Sequence, residues 1–239
     1  MKIKKNEKPV STRKLQLVSK SAPFSYVEAF KALRTNLNFV SVNASLKKLI
    51  VTSAIPHEGK SSIAINLAVT LAETGSKVLI MDCDLRKPIL HKYLKLNKGS
   101  FKGVTGILSG ESTIDDSIVF FRDIKISALV AGAIPPNPAE LLGSKKMKEL
   151  ISELETRFDY IIFDTPPISV VTDSAVLSQF ADGVLLVVRQ NLATIDQIKL
   201  AKTSLESVNA NILGVVLNDF NTAKSGKNSG YYYYYDYQS

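Results

Sequence analysis

From Lys47 onward, six short unbroken apolar runs alternate with stretches of helical periodicity, and nothing else in the chain limits its possible folds as strongly. The runs are LIVTSA (49–54), KVLIMDCD (77–84), ISALVAG (126–132), DYIIFDT (159–165), DGVLLVVRQ (182–190) and NILGVVLND (211–219). Their apolar residues are consecutive rather than alternating. A strand of that kind is buried on both faces, which requires helices on both sides of a parallel sheet. Helical spacing is found between the runs, over 59–74, 138–158 and 193–208. Residues 103–119 read as short helices broken at Gly106 and Gly110, and 26–42 reads as a helix ahead of the first strand. Right-handed crossovers turn this order into one doubly wound, mostly parallel α/β domain spanning 21–220. Ligands of such domains bind beyond the carboxyl ends of the strands, so the chemistry is sought there.

Charge narrows the function. The 239 residues carry a formal net charge of +8. Residues 1–20 hold seven basic groups and one acid, which leaves +2 for the other 219 residues. The basicity therefore belongs to an arm, read as flexible, and a nucleic-acid-binding body is not required. The arm could touch anionic lipid or serve as a plain solubilising tail. Cys83 is alone, which excludes a disulfide scaffold and fits a reducing compartment. No apolar run reaches the roughly 18 residues of a membrane helix, and MKIKKNEKPVST has no apolar core, so the expectation is a cytoplasmic protein that meets the membrane through a partner. His57 and His91 lack metal-ligand spacing. Residues 221–239 are polar, then abruptly aromatic, and hold six of the nine tyrosines: Tyr231, Tyr232, Tyr233, Tyr234, Tyr235 and Tyr237. Near-contiguous tyrosines follow neither the strand nor the helix period, so this segment reads as a flexible tail.

The first strand runs into Ala54-Ile55-Pro56-His57-Glu58-Gly59-Lys60-Ser61-Ser62 and then a helix. This is the P-loop pattern G-x-x-x-x-G-K-[ST] with Ala54 at the first glycine. Such a loop turns successive N–H groups, here from Glu58 to Ser62, toward phosphate oxygens, and the helix adds its positive end. Gly59 permits the close approach, Lys60 neutralises β- and γ-phosphate charge, and Ser61 offers a hydroxyl to Mg²⁺. Two further strands end in acids: Asp82 and Asp84 in one, Asp164 in the other. A carboxylate at an apolar strand tip is the arrangement that holds Mg²⁺ directly or through water. Arg86 and Lys87 follow Asp84 and could meet phosphate, an acidic partner or solvent.

These residues carry a resemblance. The chain resembles the bacterial tyrosine kinases (BY-kinases) of capsule and exopolysaccharide operons, in the stand-alone form typical of Gram-positive bacteria, from about residue 21 to the end. The family pairs its Walker A loop with a Walker A′ motif, apolar residues followed by D-x-D-x-R, here Asp82-Cys83-Asp84-Leu85-Arg86. Its Walker B motif is Ile161-Ile162-Phe163-Asp164, and Ile134–Leu142 and the tyrosine tail are also similar. The resemblance implies ATP/ADP with Mg²⁺ as cofactors. It implies Lys60 on the phosphates, Ser61, Asp84 and Asp164 around the metal, and Asp82 orienting or deprotonating the attacking phenol. Asn218, ending the last strand, is a family-like candidate for the base. The implied reaction is autophosphorylation of the tail tyrosines, chiefly in trans within an oligomer, together with other protein substrates. A transmembrane activator of the polysaccharide co-polymerase type and a cognate tyrosine phosphatase would be partners. The family's E-x-x-R-x-x-R oligomer motif reads here as Glu28, Lys31 and Arg34, a departure in which lysine loses the planar fork of arginine. Ring formation through these residues and a simple Glu–Lys pair within one helix both stay open.

Two other functions stay open. A partitioning-type ATPase of the same P-loop branch would carry K-G-G-x-G-K-[ST], but the position of its extra lysine is Ile55, and such proteins lack a tyrosine run. A non-enzymatic nucleotide-sensing adaptor of polysaccharide export would use the tail only to bind partners.

Overall fold

Consecutive apolar side chains put β1 (Lys48–Ser53) inside the sheet. In the computed structural model, which describes residues 15–40, 46–97 and 99–220, β5 (Tyr160–Asp164) lies on one side of β1 and β6 (Gly183–Arg189) on the other. β2 (Val78–Asp82), β4 (Ile126–Leu129) and β3 (Ile118–Phe121) follow outward from β5, and β7 (Ile212–Asn218) lies outside β6. The order is β3-β4-β2-β5-β1-β6-β7, parallel at every pair except β3–β4.

Side chains of one strand leave on opposite faces, so each face has its own core. Leu49 and Val51 join the core that contains Phe30 and Leu37 of α1 (Phe24–Val40), nearly all of α2 (Lys60–Ala72) and Leu90 of the one-turn α3 (Leu90–Tyr93). Ile50 joins the other, with α4 (Gly103–Ser109), α7 (Lys145–Arg157), α8 (Asp173–Ser178) and α9 (Ile195–Glu206). The sheet is doubly wound, as the unbroken apolar runs predict. Within α2 every residue except Lys60 and Ser62 is buried, because α1 covers the side that the sheet does not. A helix apolar on all sides needs that second cover.

Three details differ from the sequence reading. Residues 118–121 form a strand rather than a helix end. Thr113 caps the one-turn α5 (Ile114–Ser117), and a tight loop with Lys125 at positive φ returns the chain as an antiparallel hairpin. The helix expected over 138–158 is two helices, α6 (Pro138–Leu142) and α7. The Ser144 hydroxyl accepts the N–H of Met147 and starts α7, while Gly143 lies so close to Val176 that a Cβ would stand 2.9 Å from its methyl. Finally, the last residues of the expected free arm are held. Val18 is buried, its N–H donates to Asn66 Oδ1 at 2.6 Å, and the Asn66 amide donates to the Gln16 carbonyl. Residues 1–14 and 221–239, with all six tail tyrosines, lie outside the described residues.

Candidate active site

Three neighbouring strands, β2, β5 and β1, deliver the chemistry to one end of the sheet. Their register pairs Asp82 with Asp164 and Asp164 with Val51, so both acids emerge beside the loop that leaves β1. The Cys83 N–H donates to the Asp164 carbonyl at 2.8 Å and ties the two acidic tips together.

The loop after β1 is braced from within. Glu58 is fully buried, and its carboxylate accepts the N–H of Ile55 at 2.9 Å and of Arg189 at 3.3 Å. Glu58 thus folds the loop with its side chain. His57 and Gly59 take positive φ, 69° and 90°. Asn218 donates from its amide to the Glu58 carbonyl at 2.8 Å, directly over Gly59. Among the described residues, nothing accepts the backbone N–H groups of Glu58, Gly59, Lys60, Ser61 or Ser62. Five donors at the start of a long helix, held open by a buried carboxylate, form an anion cradle.

Lys60 reaches from the first turn of α2 to 3.5 Å from Asp84 Oδ2. Burial pushes its pKa down, but the charges of Asp164, Asp84 and Asp82 outweigh that and the net shift is upward, so it stays an ammonium ion. Asp82 is fully buried and accepts N–H donors from Asp84 (3.2 Å) and Leu90 (3.1 Å). Burial, then the charge of Asp164, holds its carboxyl well above the usual carboxylate range. Asp84 accepts the N–H of Lys87 at 2.9 Å. Asp164 is also fully buried, and neither carboxylate oxygen has a hydrogen-bond partner among the described residues. Burial raises its pKa, opposed by the Lys60 charge and then by the Ser61 hydroxyl, which approaches without hydrogen-bond geometry. An orphaned buried carboxylate is costly unless something else meets it.

A cation fits those unpartnered oxygens. Among the described residues the site encloses three carboxylates against one ammonium. Among the described residues, no three His, Cys, Asp or Glu side chains are placed to cage a metal. Mg²⁺ fits such a site only with phosphate oxygens and water completing its shell, beside one or two carboxylates and a hydroxyl. Ser61, Asp84 and Asp164 are the donors present.

The raised carboxyls have a measurable consequence. With folded pKa values above about 3.9, the native state binds more protons than the unfolded chain in the window between the two values. Stability therefore falls as pH rises through that window. Asp164→Asn without metal is expected to melt several degrees higher than wild type at pH 8, with the gap closing at acidic pH. Thermal melts across pH in EDTA check this; a lower melting point for the variant at pH 8 would contradict it.

Sequence reading missed one partner. Asp173, fully buried in the first turn of α8, receives Arg86 in a two-pronged ion pair, Nε–Oδ2 at 2.9 Å and Nη2–Oδ1 at 3.0 Å. The pair bridges the loops that follow β2 and β5. Beneath it, Ser174 bonds the Thr165 hydroxyl, the Pro166 carbonyl and Thr52. Only the position of an acid in a helix's first turn marked Asp173, and many such acids have no distant partner.

The early helix uses its charged residues within the chain. Lys31 pairs with Glu28 at 2.8 Å, and Arg34 donates to the Thr70 carbonyl of α2 at 2.7 Å.

A doubly wound sheet with an anion cradle and acidic strand tips defines a P-loop nucleotide-binding protein. A family model described as an AAA domain matches residues 57–213. Tyrosine-protein kinase YwqD of Bacillus subtilis is 41% identical over 207 residues, covering 87% of this chain and 85% of the relative. Tyrosine-protein kinase CpsD of Streptococcus agalactiae is 34% identical over 194 residues, 81% of this chain and 82% of that protein. Among solved structures, the kinase domain of Escherichia coli tyrosine kinase ETK superposes with a TM-score of 0.77 at 32% identity, covering 90% of this chain and 89% of that one. The chain belongs to the bacterial tyrosine kinase family and groups with its Gram-positive capsule members.

Proposed function

We propose that the chain transfers the γ-phosphoryl group of ATP to tyrosines of its own C-terminal cluster, in trans between copies, and to other proteins, and that this controls capsular or exopolysaccharide synthesis and export. The observation that carries the reading is the open N–H cradle facing a buried Lys60–Asp84–Asp164 cluster whose Asp164 oxygens have no partner.

In this reading the N–H groups of Glu58 to Ser62 hold phosphate oxygens, and Lys60 places a fixed positive charge beside the group in flight. Phosphoryl transfer passes through a loose transition state and gains most from positioning and charge neutralisation. Mg²⁺, when bound through Ser61, Asp84 and Asp164, supplies further neutralisation of the phosphate oxygens. Asp82 accepts the phenol proton. Its raised pKa moves it toward the phenol value of about 10, which favours that transfer. Because Asp82 is fully enclosed, the segment after it must give way for a phenol to arrive. Asn218, already braced on the loop, borders the base. Glu28, Lys31 and Arg34 exchange their internal contacts for contacts with a neighbouring copy. No described helix is long and apolar enough to cross a membrane, and a transmembrane activator would bring the kinase to the inner face. A cognate tyrosine phosphatase resets the tail.

Changing Tyr231–Tyr235 and Tyr237 to phenylalanine together is expected to remove most phosphotyrosine from the chain and to spare phosphorylation of an added tyrosine substrate. Quantitative mass spectrometry of both reads this out. Undiminished phosphotyrosine would place the acceptors elsewhere, and loss of activity toward the added substrate would make the tail part of the machinery.

A further inference from the structure

The segment that follows Asp82 and Asp84 forms one wall of a cavity of about 300 Å³ to which the transfer reaction assigns no ligand. Among the described residues it is lined by Arg86, Lys87, His91 and Lys92 and by apolar Pro88, Ile89 and Ile134, with no carboxylate. Arg86 is already neutralised by Asp173. Lys87 and Lys92 are exposed, and among the described residues neither pairs with an acid. Two uncompensated ammonium groups over an apolar wall suit a ligand with a flat apolar body and a multiply charged anionic head. A tyrosine gains only the wall. A phosphotyrosine adds roughly −1.5 to −2 charges and gains the lysines as well.

We infer that this cavity captures a phosphotyrosine of segment 221–239 in the same molecule that carries it. The inference rests on the proposed tail phosphorylation. The reach is sufficient. Asn218, the last residue of β7, is bonded to the phosphate loop, so the tail departs beside the site. β7 and β2 are four strand positions apart, about 19 Å at the usual spacing. The stretch from Phe220 to Tyr231 spans about 36 Å when extended. A tether of this length gives millimolar effective concentration, so a molecule's own tail outcompetes that of a second copy. The capture also touches the catalytic residues, because the N–H groups of Lys87 and Leu90 hold Asp84 and Asp82. A phosphorylated tail held on its own molecule is withdrawn from a neighbour's site.

The test uses the full chain and a fluorescent peptide of residues 229–239 with phosphotyrosine at 233. Binding is followed by anisotropy. The unmodified chain is expected to bind this peptide at least tenfold more tightly than the tyrosine form, and at least tenfold more tightly than the Lys87→Gln/Lys92→Gln double variant does. A full chain with phosphotyrosine installed at Tyr233 by codon suppression is expected to bind it at least tenfold more weakly, to the same degree at every protein concentration. Equal binding of the two peptides, indifference to the lysine changes, or no effect of the installed phosphotyrosine overturns the inference. Blocking that grows with protein concentration overturns the same-molecule arrangement in favour of a second copy. Neither reagent depends on the chain's own activity. A chain that fails to phosphorylate itself therefore sinks the kinase reading and leaves this result standing.

Discussion

Lys60→Met is expected to lose tyrosine phosphorylation by at least a hundredfold, the scale on which a single pre-set charge acts at a transferring group. Methionine keeps the length of the side chain and its apolar stem. What disappears is the one ammonium among Asp82, Asp84 and Asp164. The loss has a second signature. Without Lys60 the three carboxylates repel one another with nothing to offset them, so the metal-free variant is expected to stay folded but melt several degrees lower at pH 8, and to recover as acid protonates the cluster. Phosphotyrosine formation and melts in EDTA read the two effects separately. Retained activity would remove Lys60 from the phosphate site. A melting point independent of pH would mean that the cluster is not coupled as the geometry indicates.

Gly59→Ala is expected to weaken nucleotide binding by about a hundredfold, and for two separable reasons. At φ +90° an alanine costs about 1–2 kcal/mol that glycine does not. The new Cβ would also stand 2.2 Å from Asn218 Nδ2 and push that amide off the Glu58 carbonyl, which undoes the brace on the loop. Asn218→Ala alone removes the brace without the backbone strain, so it should lose part of the affinity and Gly59→Ala more, both measured by calorimetry with Mg-ADP. Wild-type affinity in Asn218→Ala would mean that φ alone dictates glycine here, and wild-type affinity in Gly59→Ala would show that the loop opens differently when loaded.

Much of this site is readable from sequence because its signals are local. Strand, Gly-Lys-Ser and helix follow one another directly, and an acid ending an apolar run needs no distant information to be noticed. The convergence of the three strands is another matter. That Asp82 stands beside Asp164, one strand from the phosphate loop, is a property of strand order and register, which depend on packing across the whole sheet. Asp173 was hidden for the same reason. Its partner Arg86 lies 87 residues away, and neither side chain announces the other. Glu58 was legible as a loop residue but not as the brace, since only the folded chain brings Arg189 to it. The β3 strand escaped because three half-buried residues and an exposed Phe120 after a one-turn helix carry little periodicity. The break at Gly143 escaped because a helical pattern on both sides of a glycine reads as continuous until the close approach of Val176 is seen.

The proposed transfer, from a triphosphate on the Gly-Lys-Ser turn to a phenol, is followed by incubating the full chain, alone and with the proposed transmembrane activator, with Mg-ATP carrying ¹⁸O in the γ-phosphate and mapping the label by mass spectrometry. Labelled phosphotyrosine within Tyr231–Tyr237 is expected, dependent on Mg²⁺ and absent in Lys60→Met. Hydrolysis that releases labelled phosphate to water while tyrosines stay unlabelled, with the activator present, would contradict it.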